Sequence, residues 1–175
     1  MKIKEVKTWK FDELTDELKE MVIQKNYAFN VKFGWWDCTY EDAKTAGLII
    51  DEFDTGRGSY CRGKFNVDAE DCAELIMKNH GSKCETFLTA VEYLKNRDFL
   101  VVKYSDGIQT DIVSEDNEYD FDKECDELNA DFLKSICEDY LTVLSNEYDY
   151  LTGEDAIAET LRINEYDFDE YGNIA

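Results

Sequence analysis

The residues from Asp111 to Ala175 decide most of what this chain can become. They hold 21 acidic residues against only Lys123, Lys134 and Arg162, so they carry −18 of the −22 net charge of the whole 175-residue chain. Such an excess favours solubility, repels itself and selects cationic partners. High charge with low hydrophobicity marks disorder, yet Leu128, Phe132, Leu133, Ile136, Tyr140, Leu141, Leu144, Tyr148 and Leu151 recur here at helical spacing. That stripe predicts a long helix, from about Phe121 to Tyr150, with one buried face and one charged face.

The rest of the chain predicts an α+β fold. About five helices pack on a small, mainly antiparallel sheet, in a single domain over 1–175 with the acidic third packed on the N-terminal elements. Lys4 to Phe11 reads as a strand, and Thr15 caps a helix over 16–29. Trp35-Trp36-Asp37 opens a second helix that Gly47 stops. Leu48 to Asp54 and Tyr60 to Val67 form a hairpin around Thr55–Gly58, with Ile49, Phe53, Cys61 and Phe65 inward. Asp68 caps a third helix ended by Gly81, and Phe87, Ala90, Val91 and Leu94 mark a fourth.

From Phe99 to Val113 two readings stand. Asp106-Gly107 suits a hairpin turn; alternatively the fourth helix continues to Tyr104, which is the expected outcome. Ser114 to Asp120 is read as a loop. Thr152 with Asp155 resembles a capping box for a last helix, and Tyr166 and Phe168 alternate as a short strand after it.

No chemistry-bearing motif is complete. Gly58 to Lys64 has the letters of a phosphate loop, but Phe65 stands where Ser or Thr is required, and the segment belongs to a strand. His80, the sole histidine, sits beside Gly81, where a helix C-terminus favours an imidazolium. A cysteine enzyme using His80 and Cys84 is the catalytic alternative. The six cysteines have no close-paired ligand spacing, so reduced, structural thiols are expected, with no metal and no cofactor. Asp167-Phe-Asp169-Glu-Tyr-Gly172 imitates the start of a calcium loop without its bidentate glutamate. No run of about 18 apolar residues is present, so no membrane association and a cytoplasmic location are expected.

The segments Trp35-Trp36-Asp-Cys-Thr-Tyr-Glu-Asp-Ala43, Phe53-Asp-Thr-Gly-Arg-Gly-Ser-Tyr-Cys-Arg-Gly-Lys-Phe65, Asn79-His-Gly81 and Glu147-Tyr-Asp-Tyr-Leu-Thr152 resemble a family of small proteins of phages and mobile elements in low-GC bacteria. The resemblance transfers no catalytic residue. It implies a setting, since small acidic phage proteins include anti-CRISPR inhibitors that imitate DNA.

Charge and setting together give the expected function: a non-enzymatic inhibitor of a basic nucleic-acid-handling protein, led by a CRISPR effector nuclease of Cas9 type. It would not bind nucleic acid itself. An antitoxin-like or assembly protein that masks another basic partner is the alternative. The candidate contact residues are Asp111, Glu115, Asp116, Glu118, Asp120 and Asp122 in a loop cluster, with Glu127, Asp131 and Glu138 along the outer helix face. Trp35 is a candidate interface anchor. B-DNA carries about one charge per 1.7 Å of axis, so 18 charges correspond to roughly 30 Å of duplex.

Overall fold

The computed structural model describes residues 7–105 and 118–175. Helices dominate, and the strands form two separate antiparallel pairs rather than one sheet. The chain order is β1 (Trp9–Lys10), α1 (Asp16–Lys25), α2 (Asp37–Thr45), β2 (Leu48–Asp54), β3 (Tyr60–Phe65), α3 (Ala69–Asn79), α4 (Glu85–Tyr104), α5 (Glu118–Leu151), α6 (Glu154–Ile163) and β4 (Asp167–Phe168). The α+β class and the long acidic helix thus match the sequence reading. Contacts divide the chain into a terminal unit, Met1–Trp35 with Asn146–Ala175, and a central unit, Trp36–Ser145. The acidic third is therefore shared between units, and α5 itself supplies residues to both.

The central unit is built around the hairpin β2–β3. Its register pairs Leu48 with Phe65, Ile50 with Gly63 and Phe53 with Cys61, with a bulge between Ile50 and Glu52. The bulge explains one misread residue. Strict alternation back from Phe53 puts Ile49 inward, but the extra residue resets the phase, so Leu48 and Ile50 are buried and Ile49 pairs with Lys64 on the other face. Gly63 has to be glycine, because a Cβ there would stand 2.5 Å from the Ile49 carbonyl oxygen. Gly47 turns the chain out of α2 at φ +82°, a conformation that disfavours any other residue.

Against the hairpin pack Ala43 of α2, Cys72, Ala73 and Ile76 of α3, Ala90 and Tyr93 of α4, and Phe132, Ile136 and Tyr140 of α5. Phe132 lies between two rings, stacked on Tyr93 at 4.3 Å and on Phe65 at 5.6 Å. Burying such a side chain stabilises by about 1.5–3 kcal/mol, and each well-placed ring pair adds about 0.5–1.5 kcal/mol. The apolar stripe read from the sequence is this contact.

The terminal unit joins the two chain ends. Trp9 pairs with Phe168 and Lys10 with Asp167. Phe11, Leu14, Val22, Ile157, Ala158, Leu161 and Phe168 form its core. Thr15 caps α1, its hydroxyl accepting from the Leu18 amide, but the helix ends at Lys25, short of residue 29. Of the expected strand from Lys4 to Phe11, Trp9–Lys10 form a strand and Lys7, Thr8 and Phe11 do not, while Lys4 to Val6 lie outside the described residues.

Two further terminus assignments change, and one holds. Asp68 makes no capping bond to α3, which ends at Asn79. Thr152 does not cap α6; its hydroxyl donates to the Tyr148 carbonyl at 2.8 Å and finishes α5, leaving Gly153 as the α6 cap. α4 continues to Tyr104, as expected of the helix reading, while Asp106 to Val113 lie outside the described residues.

Candidate functional site

The central unit holds 26 acidic and 11 basic residues, and the terminal unit 15 and 8. The larger excess, −15, is therefore central. α5 alone contributes 11 acidic residues against Lys123 and Lys134.

Asp120, Asp122, Glu127, Asp131 and Glu138 are all exposed on α5. Helical spacing puts Asp120, Glu127, Asp131 and Glu138 along one line opposite the Phe132, Ile136 and Tyr140 stripe. Asp122 belongs to a different line, in step with Cys125 and Asn129, although it too is exposed. Asp120 and Asp122 are not loop residues, because the helix already begins at Glu118. Carboxylates at that end suit the helix dipole. Asp111, Glu115 and Asp116 lie outside the described residues.

Among the described residues no cation pairs with Asp120, Asp122, Glu127 or Asp131, and Glu138 has only a distant partner in Lys134 at 3.9 Å. Glu124 differs. Both its oxygens accept from Lys103 Nζ at 2.7 Å, and the Tyr104 hydroxyl donates to it at 2.8 Å. Lys103 and Tyr104 accordingly hold the Glu124 carboxyl below its ordinary range. Thr89 donates to Asp139 at 2.7 Å, yet burial is the larger influence and raises the Asp139 carboxyl.

From Asp120 to Glu138 the helix rises about 27 Å. Four carboxylates over that span give one per about 9 Å, far sparser than the one charge per about 1.7 Å of duplex DNA. The face offers a negative field rather than a phosphate-for-phosphate copy.

Trp35 belongs to the terminal unit and is half-buried, its ring tilted on Tyr148 at 5.7 Å. Trp36 packs on Phe53 in the central unit. The exposed aromatic of this stretch is Phe33, 89 % accessible, which the sequence reading passed over. On α4 the missed residues are Glu92, Asn96 and Phe99. The signal for Phe99 was present, since neighbouring residues on a helix cannot share a face and Leu100 takes the buried one.

His80 does not act as the expected dipole cap. It stands one residue beyond α3 in extended backbone, and its side chain, 9 % exposed, turns inward. Nδ1 lies 2.7 Å from Thr86 Oγ1 and Nε2 lies 3.5 Å from Asp42 Oδ2, which also accepts from the Tyr140 hydroxyl at 2.9 Å. Both ring nitrogens are thus committed away from Cys84, which precedes α4 with its side chain exposed. The network ties α2, α3, α4 and α5 together.

Burial pushes the Cys72 thiol up to about 12, and contact with Cys137 followed by burial raises Cys61 further. Raised thiols are poor nucleophiles and poor metal ligands. Among the described residues no group of three or more His, Cys, Asp or Glu is arranged to hold a metal ion. Asp169 instead organises a turn, accepting from the Tyr171 and Asn173 amides at 2.9 Å. No described helix is long and apolar enough to cross a membrane.

Comparison with known proteins adds no relative: no family model matches the chain, and no curated protein or solved structure is significantly similar to it.

Proposed function

We propose that this chain is a non-catalytic inhibitor that binds a basic, nucleic-acid-handling protein through the acidic face of its central unit. The leading target is a CRISPR effector nuclease of Cas9 type, the setting implied by the sequence resemblance. The observation that carries the reading is the row Asp120, Glu127, Asp131 and Glu138, exposed and, among the described residues, paired only at Glu138 with Lys134 at 3.9 Å, on a helix whose other face is pinned in the core. A buried stripe makes the row a rigid scaffold, so little ordering entropy is lost on binding.

The mechanism follows from the charge density. A field of this strength steers a basic channel toward the protein, and the bound inhibitor then excludes nucleic acid by occupying the channel. It does not need to reproduce phosphate spacing.

The test is displacement of fluorescently labelled target DNA from a guide-loaded Cas9-type effector, followed by anisotropy. Release by the wild type, and loss of release when the four carboxylates become Asn or Gln, supports the reading. An effector that holds DNA and this protein together overturns it. Tight binding to a basic protein with no nucleic-acid site would instead favour the masking alternative.

A further inference from the structure

In the central unit α4 and α5 are clamped at several levels. Thr89 reaches Asp139 at 2.7 Å, the Tyr93 hydroxyl donates to Asn129 at 2.7 Å, and Lys103 grips Glu124 at 2.7 Å. Beside these clamps, open to solvent, run two hollows of about 300 and 390 Å³. Asn96, Leu128 and Asp131 line both, so the hollows are continuous. The floor is apolar: Tyr93 and Phe132 under one hollow, Leu100 under the other, and Leu128 under both. Phe99, 67 % exposed, stands at one end with no described function in the fold.

The rim has one sign of charge. Glu92, Glu127 and Asp131 border the hollows, and among the described residues no Lys or Arg lines either of them. Among the described residues none of the three carboxylates has an ion-pair partner, while Glu124 is neutralised by Lys103. An apolar trough with acidic walls is complementary to a segment that carries apolar side chains on one side and cations beside them.

We infer that this groove between α4 and α5 is the docking site for a basic amphipathic helix of the partner protein. The inference rests on the proposed function and deepens it by naming the element of the partner that is recognised. A helix is the fitting occupant because the walls are two helices, with no sheet edge among the lining residues to extend. From Thr89 to Leu100 the groove runs about 17 Å, or three turns of a bound helix. Two apolar side chains one or two turns apart each enter a hollow, and Lys or Arg on the flanks meet Glu92 on one wall and Glu127 and Asp131 on the other. A second copy of this chain is the wrong occupant, since a unit with 26 acidic and 11 basic residues repels itself.

The probe is a capped, helix-forming peptide of about 14 residues with two leucines on one face and Lys and Arg beside them. A scrambled peptide of identical composition serves as the charge control. Amide shifts of the full-length ¹⁵N-labelled protein report the site, and Asn96→Arg is the blocking variant. Asn96 is exposed and borders both hollows, so the new side chain fills the groove beside Glu127 and Asp131 while leaving the core and the Asp120 and Glu138 ends of the α5 row intact. An unchanged melting temperature checks its fold.

The expected result is saturable shifts at Asn96, Phe99, Leu128 and Asp131, with the scrambled peptide about tenfold weaker and Asn96→Arg weakening the amphipathic peptide by about tenfold or more. Equal binding of both peptides, unaffected by Asn96→Arg, overturns the groove while leaving the acidic-face reading standing. Groove-specific binding of the peptide, together with an effector that keeps its DNA, leaves the groove standing and removes the nucleic-acid-handling partner.

Discussion

In the terminal unit, opposite charges come from opposite ends of the chain and meet. Lys10 pairs with Asp167 at 2.9 Å and Arg162 with Asp12 at 2.7 Å, while Lys25 Nζ donates to the Tyr171 carbonyl and Asn173 Oδ1. Asp169 spends its oxygens on the turn that follows it. The central unit is different: its clamp pair, Lys103 with Glu124, is satisfied, but Glu92, Asp120, Glu127 and Asp131 have no described cation beside them. Carboxylates thus help to close the fold in both units, through Asp12 and Asp167 in one and through Asp51, Glu52 and Glu70 in the other. Pairing alone does not separate the units; what differs is that α5 gathers exposed carboxylates into one row along a helix face.

The largest effects come from the two cores. Phe132→Ala and Phe168→Ala should each destabilise by about 3–5 kcal/mol, read by thermal or urea unfolding. At a temperature where both variants remain folded, only Phe132→Ala should weaken partner binding, because Phe132 also floors the groove. Equal loss of binding from Phe168→Ala would erase the functional distinction between the units.

Charge substitutions come next. Changing Asp120, Glu127, Asp131 and Glu138 to Asn or Gln should slow association with the effector by about tenfold or more at low salt. Asp149, Asp155, Glu159 and Glu170 of the terminal unit, all exposed, provide an equal number of charges as a control, and their neutralisation should change the rate far less.

Two carboxyls make a smaller, pH-resolved contrast. Burial raises Asp139, so the folded state holds its proton longer and stability falls as pH rises through that window. Asp139→Asn should thus raise the melting temperature at neutral pH, with the gain vanishing below about pH 3.9, the unfolded carboxyl value. Hydrogen bonds from Asn173 lower Asp169, which contributes stability above the unfolded value and loses it as pH falls through the folded one. Asp169→Asn should therefore lower the melting temperature at neutral pH and matter little in acid. The smallest effect is Lys10→Met, about 0.2–1 kcal/mol, because its pair with Asp167 is half in water.

Much of the fold was legible because periodicity and turn chemistry agree with it. The stripe at Phe132, Ile136, Tyr140 and Leu144 is buried as its spacing implies, and Thr55–Gly58 joins the hairpin. Ile49 was misplaced because a bulge leaves no mark in an alternating pattern. Thr152 was misplaced because a hydroxyl can bond backward to α5 as easily as forward to α6. For the site, Glu127, Asp131 and Glu138 on the outer face of α5 followed from helical geometry, whereas Asp120 did not, because the sequence reading ends the loop there and the helix already begins at Glu118. Glu92 and Asn96 did not, because which helix lies beside α5 is a tertiary fact that local spacing does not encode. His80 shows the same limit: Asp42 and Thr86 reach it from separate elements.

The most direct test of the central claim is the association rate of a guide-loaded Cas9-type effector with three proteins: the wild type, the central-unit variant and the terminal-unit variant, each over a series of salt concentrations. Screening shortens the reach of exposed charge from about 30 Å at 0.01 M to about 8 Å at 0.15 M. The account expects steep salt dependence for the wild type and the terminal-unit variant, and a slower, flatter response for the central-unit variant. Three proteins with the same rate at every salt concentration would contradict it.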